Sequence, residues 1–121
     1  MRPVHLLLAA AALLALTACS AKEDVTKPAP EGVAAAERAA GIPAAPTGDA
    51  RDAYLDAIAA VDPQLVVDEE RAIDAGRNQC SSITSPKADA LAAQRFGTDA
   101  RPLSDAQGKR LNAALRATLC P

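Results

Sequence analysis

Histidine occurs once in this chain of 121 residues, at His5; tryptophan is absent, and phenylalanine and tyrosine appear once each. Two aromatic rings make no platform on which bases or sugars could stack. No Gly-rich phosphate loop is present either. A basic excess is also missing: 13 Lys and Arg against 15 Asp and Glu give a net charge of -2, which argues against a nucleic-acid partner. Large apolar side chains are scarce, because 31 alanines make up about half of the apolar residues. Alanine buries little area, so at ~25 cal/mol per Å² the core is expected to be small. The length allows one domain at most.

The N-terminus has the composition of an export signal. Met1 and Arg2 form a positive start, and residues 6–16 are an uncharged run of 11 residues. At 1.5 Å per residue such a run covers about half of a ~30 Å hydrocarbon core, too short for a stable membrane helix. A positive start, a short apolar centre and small residues after it describe a secretory signal peptide over residues 1–18. Leu16, Thr17, Ala18 and Cys19 then resemble the lipobox of bacterial lipoproteins. That resemblance implies a diacylglycerol on the Cys19 thiol and cleavage between Ala18 and Cys19. Cys19 would then head a protein held on the outer face of the cytoplasmic membrane. Two acyl chains, palmitate-like and worth ~0.8 kcal/mol per buried CH₂, suffice for lasting attachment. The competing reading is an ordinary signal peptide with an incidental cysteine. Removal of residues 1–18 takes away Arg2 and His5, leaving 12 basic and 15 acidic residues, a net charge of -3 and no histidine.

Residues 19–48 contain Pro28, Pro30, Pro43 and Pro46 with Gly32, Gly41 and Gly48, a density that predicts a disordered tether. Within it, residues 33–40 have high helix propensity. A helix that short is marginal in water and would need to dock on something to persist.

Residues 49–121 predict an all-α domain, a small bundle of about four short helices. Asp49 with Asp52 marks the first start, and Tyr54, Leu55, Ile58 and Val61 fall on one face before Asp62-Pro63 stops the helix. Residues 64–67 are too short to assign to a strand and read as a buried loop or the lead-in to the next helix. The second helix is expected over residues 68–83, with a stripe of Ile73, Gly76, Cys80 and Ile83. Gly76 costs ~1 kcal/mol of helix propensity there, so close approach of another backbone is expected. Ser85 and Pro86 predict the next N-cap and first turn, with Ala88, Leu91, Ala92 and Phe96 inward and Gly97 as terminator. Ser104 and Gln107 form a capping box that opens the last helix, whose inner face is Leu111, Ala114, Leu115, Thr118 and Leu119. By helical angle Cys120 points away from that face, so the last turn is expected to unwind.

With Cys19 lipidated, Cys80 and Cys120 remain, and an exported chain is expected to oxidise them to one disulfide. The alternative, a reactive thiol at Cys80, has no histidine to lower its pKa. Tyr54, Leu55 and Ile58, then the run Asp74-Ala75-Gly76-Arg77-Asn78-Gln79-Cys80-Ser81-Ser82-Ile83, carry a further resemblance, together with Gln94-Arg95-Phe96 and the final Leu119-Cys120-Pro121. These residues resemble a small actinobacterial exported family known as domain of unknown function 732, over roughly residues 50–121. The resemblance implies a short helical domain with one disulfide, often behind a signal peptide or lipoprotein anchor, and it implies no activity.

Candidate chemistry is thin. Ser81 and Ser82 have no base at helical spacing and are expected to cap or back-bond at the helix end. Asp68, Glu69, Glu70 and Asp74 are the one acidic group that could do acid–base work or hold calcium. They do not match the calcium-loop pattern, and acidic residues suit a helix N-terminus. Glu70 and Asp74 form an unfavourable like-charge i,i+4 pair, and Arg71 and Arg77 are expected as solvated partners of nearby carboxylates, Arg77 alternatively in a buried pair beside Cys80. No catalytic residue, cofactor or metal is expected. The leading functional expectation is a membrane-anchored, non-catalytic envelope module contacting a protein or wall component. The alternatives are a small-ligand or lipid-binding module with a cavity between the helices, and, last, a carboxylate-only enzyme.

Overall fold

The structure, a computed structural model, describes residues 31–121. The expected signal peptide, the lipobox Leu16, Thr17 and Ala18, and Cys19 lie outside the described residues. Among these residues the chain is all-helical, with α1 (Glu31–Ala39), α2 (Gly48–Val61), α3 (Glu69–Cys80), α4 (Ala88–Phe96) and α5 (Asp105–Thr118). None of these helices is long and apolar enough to cross a membrane.

α2 buries Tyr54, Leu55 and Ile58, as its spacing predicts, while Val61 at its end is only half-buried. Its start differs from expectation: Thr47 is the N-cap, without a side-chain bond, and Asp49 sits in the first turn, where it still favours the helix dipole. Asp62 leaves helical geometry ahead of Pro63, and its carboxylate accepts from the Gln64 amide at 2.9 Å. That bond starts a 3-10 turn over Pro63–Val66, the segment left between loop and lead-in by the sequence. Leu65 and Val66 tuck half-buried against the core, while Val67 is 77% exposed.

α3 begins one residue later than expected, with Asp68 as its cap accepting from the Arg71 amide at 3.0 Å, and ends at Cys80 rather than near residue 83. Beyond Cys80 the amides of Ser82 and Ile83 reach back only three residues, to Gln79 and Cys80, so the helix tightens into turns. Ser81 reinforces this by donating its hydroxyl to the Asn78 carbonyl at 2.7 Å. α4 also starts late. Ser85 accepts from the Lys87 amide at 3.2 Å and Pro86 stays in the turn, so Ser85 shapes the approach instead of capping the helix. The capping box of Ser104 and Gln107 at the start of α5 is present in both directions.

The core is small and lies where α2, α3, α4 and α5 meet, with Tyr54, Ile58, Phe96, Leu111 and Leu115 fully enclosed. Ala114, Thr118 and Leu119 are only half-buried, and so is Leu91. Two glycines let this core close. Gly76 is needed, but for a different reason from the one expected: a Cβ there would overlap the phenol of Tyr54, a side chain and not a backbone. The backbone approach occurs at Gly108, where a Cβ would overlap the carbonyl oxygen of Asp89 in α4.

The last turn of α5 unwinds as predicted, with the amides of Leu119 and Cys120 both reaching the Leu115 carbonyl. This turns Cys120 inward to form a disulfide with Cys80, the Cα atoms 5.3 Å apart and the residues 40 apart in sequence. Closing a loop of that length contributes about 3 to 4 kcal/mol on the chain-entropy model.

Gly108→Ala gains ~1 kcal/mol of helix propensity yet forces the Asp89 carbonyl away, an overpacking cost of about 1–3 kcal/mol or more. The expected result is a lower urea midpoint at unchanged slope. Gly32→Ala, which meets nothing within 4 Å, is the control and leaves the midpoint level or raised.

Candidate functional site

Gln79 and Asn112 lie at the centre of one connected polar chain. Gln79 on α3 is fully buried, and its amide nitrogen donates to the Ala88 carbonyl and to Asn112 Oδ1, both at 2.9 Å. Asn112 on α5, also fully buried, passes its own amide to Asp89 Oδ1 at 2.8 Å. On the other side Arg95 donates to Gln79 Oε1 at 2.5 Å and to the Ser82 hydroxyl at 3.2 Å. Among the described residues no buried side-chain polar atom lacks a partner. The relay therefore locks α3, α4 and α5 in register without an unpaired group, the condition under which a buried polar network specifies a fold. Sequence reasoning missed it, although the signal was there: Asn112 lies on the stripe Gly108, Leu111, Leu115, where a polar residue in a core position asks for a partner.

Tyr54 is the other buried polar group with a proton to lose. Its hydroxyl donates to the Ala72 carbonyl at 2.5 Å, and burial pushes its pKa above the ordinary tyrosine value. A neutral phenol that donates one bond to a backbone carbonyl and faces no base acts as a strut between α2 and α3.

Most of the charged candidates are occupied in holding the fold. Asp68 caps α3, while Glu69 and Glu70 converge on Arg51 at 2.7 and 3.2 Å and hold its guanidinium pKa above the ordinary value. Arg71 does not serve a carboxylate as expected. It reaches across to the C-terminal carbonyls of α4, Phe96 at 3.3 Å and Gly97 at 3.0 Å, where a cation complements the helix dipole. Arg77 does form a pair, only 16% exposed, but with Glu37 of α1 at 2.6 Å. Asp74 stands 3.7 Å from Arg77, so the like-charge pair of Glu70 and Asp74 is relieved by a different arginine at each end. Ser81 back-bonds as expected, and Ser82 is a partner of Arg95.

An open groove of about 540 Å³ lies where α4 ends. Small residues (Ala90, Ala93, Gly97) line it together with Pro102 and Leu103 and the polar residues Gln94, Thr98, Asp99 and Asp105. The turn beside it is held by hydrogen bonds. Thr98 and Arg101 exchange both backbone hydrogen bonds at 3.0 Å, and the Thr98 hydroxyl accepts from the Arg101 amide as well. Arg71 clamps Gly97 from behind, and Leu103 is packed against the core. The groove is an open surface of small and polar groups.

Two consequences can be measured. Tyr54 is the sole tyrosine, so its alkaline titration is readable on its own. A raised folded-state pKa contributes stability that is complete below the unfolded value of about 10 and declines as pH rises past it. Phenolate absorbance near pH 11 should therefore appear only together with loss of the helical signal, and Tyr54→Phe should flatten the alkaline fall in stability. Gln79→Leu and Asn112→Leu each strand a buried partner, at an expected cost of about 2–3 kcal/mol in denaturant unfolding. The double variant should lose less than the sum, by ~1 kcal/mol.

The chain matches no family model, no curated protein and no solved structure.

Proposed function

We propose that this protein is a lipid-anchored, extracytoplasmic, non-catalytic interaction module of a bacterial cell envelope, and that the groove at the end of α4 is its contact surface. The observation that carries the reading is the groove's construction: an open surface lined by small residues and by Asp99 and Asp105, beside a turn that hydrogen bonds and Arg71 hold. An open surface lined by small and polar residues suits a protein or a wall component better than an enclosed metabolite. The acidic group of Asp68, Glu69, Glu70 and Asp74, on which a carboxylate-only enzyme would rest, is engaged as a cap and in ion pairs, which weighs against that reading.

The anchor reading rests on the lipobox at Leu16–Cys19 and is consistent with a disulfide, which persists in oxidising compartments. The likeness to domain of unknown function 732 remains part of this proposal, and it rests on the residues quoted for it. The small-ligand or lipid-binding alternative requires a molecule held between the helices.

The test is made in intact cells with the full chain. Metabolic labelling with palmitate should mark the protein and fail to mark Cys19→Ser. A photo-reactive residue replacing Gln94 should give a discrete adduct, while the same residue replacing Val67, outside the groove, gives none. Adducts at neither site, together with a metabolite retained through purification, would overturn the interaction reading.

A further inference from the structure

α1 is attached to the domain in an unusual way for a helix, because it contributes no buried residue. Nine residues of isolated helix are marginal in water, so α1 persists through what holds it. Its C-terminus closes in a Schellman motif: the Gly41 amide reaches the Arg38 carbonyl at 3.0 Å and the Ile42 amide reaches the Glu37 carbonyl at 2.8 Å, with Gly41 at φ +77°. That turn lays Gly41 on Ser81 and brings Ile42 and Pro43 half-buried against the end of α3.

One side chain then gathers both strands of the turn. Arg77 donates Nη2 to Glu37 Oε2 at 2.6 Å and Nε to the Pro43 carbonyl at 2.8 Å. The guanidinium thus fastens the helix and the chain leaving it at one point, through a planar donor set that lysine cannot reproduce. Asp74, 3.7 Å away on the solvent side, supports the cation.

We propose that residues 31–47 are a two-state strap and that the pair of Arg77 and Glu37 is its latch. Docked, the strap is α1 and its turn; released, it becomes extended chain while α2 to α5 keep their fold. The physical basis is the contrast in attachment among the described residues: α2 to α5 share a common apolar core and a disulfide, whereas α1 holds on through one ion pair, one carbonyl bond and a half-buried turn. Low-stability segments of this kind open without global unfolding.

The consequence for reach rests on the anchor reading above; the latch itself does not. With the strap docked, the chain separating the domain from Cys19 is residues 19–30, with a contour of about 37 Å at ~3.1 Å per residue. With the strap released it is residues 19–47, about 90 Å. The latch would then set how far the contact groove stands from the lipid surface.

Amide hydrogen exchange on the full mature chain tests the latch. Glu37→Ala and Arg77→Lys should each speed exchange at residues 35–42 at least about tenfold and leave the amides of α2 to α5 unchanged. The charge swap carrying both Glu37→Arg and Arg77→Glu should recover part of the protection. Unchanged exchange at residues 35–42 in Glu37→Ala would overturn the proposal, and so would parallel loss of protection in α2 to α5, since the strap would then be part of the cooperative core. Palmitate labelling is a separate measurement, so failure of the anchor and failure of the latch are told apart.

Discussion

Asp89 and Gly108 meet carbonyl to Cα, with no room for a methyl group between them, and the spacing of the rest of the bundle follows from that contact. A chain so rich in alanine cannot fill the gaps between helices set at an ordinary separation. The helices must come closer, and only a glycine at the crossing of α4 and α5 allows it. Once they do, Asp89 and Asn112 stand within hydrogen-bond reach, and Gln79 from α3 completes the relay between them and Arg95. The polar interior is thus a product of the same shortage that forced the backbones together.

Arginine compensates for the small core in a second way. Arg71, Arg77 and Arg116 each leave their own helix and donate to a carbonyl elsewhere: Gly97, Pro43 and Ile83. Carbonyls at helix ends and turns are the groups that secondary structure leaves unpaired, and a guanidinium on a long stem reaches them while its aliphatic part covers apolar surface. Such ties fix the relative positions of loops, where a bundle of short helices would otherwise be least defined. In a domain this size the disulfide of Cys80 and Cys120 adds a covalent tie of the same sense.

Local signals in the sequence carried the elements well and their partners poorly. The box of Ser104 and Gln107 and the stop at Asp62-Pro63 depend on neighbours in the chain, and both appear as read, while the helix expected from residue 68 starts one residue later with Asp68 as its cap. The cysteine pairing followed from counting thiols. Helix ends after Cys80 and before Ala88 were misjudged because Ser81, Ser85 and Pro86 serve turns that continue the chain, and propensity does not separate those from caps. The uses of Arg71 and Gly76 were misread because each is answered by a residue well removed in sequence, Gly97 and Tyr54. The groove was not legible at all. It consists of what α4 leaves uncovered beside residues 98–105, and a space between elements has no pattern in either.

α3 deserves to be seen as a strut with two ends. Near its start Arg71 clasps the rim of the groove; past its finish Ser81 carries the turn at Gly41. Ten residues of rise, about 15 Å, separate the two. The helix thus ties the turn after α1 to the turn after α4 across its own length, so that two loops distant in sequence keep a fixed separation.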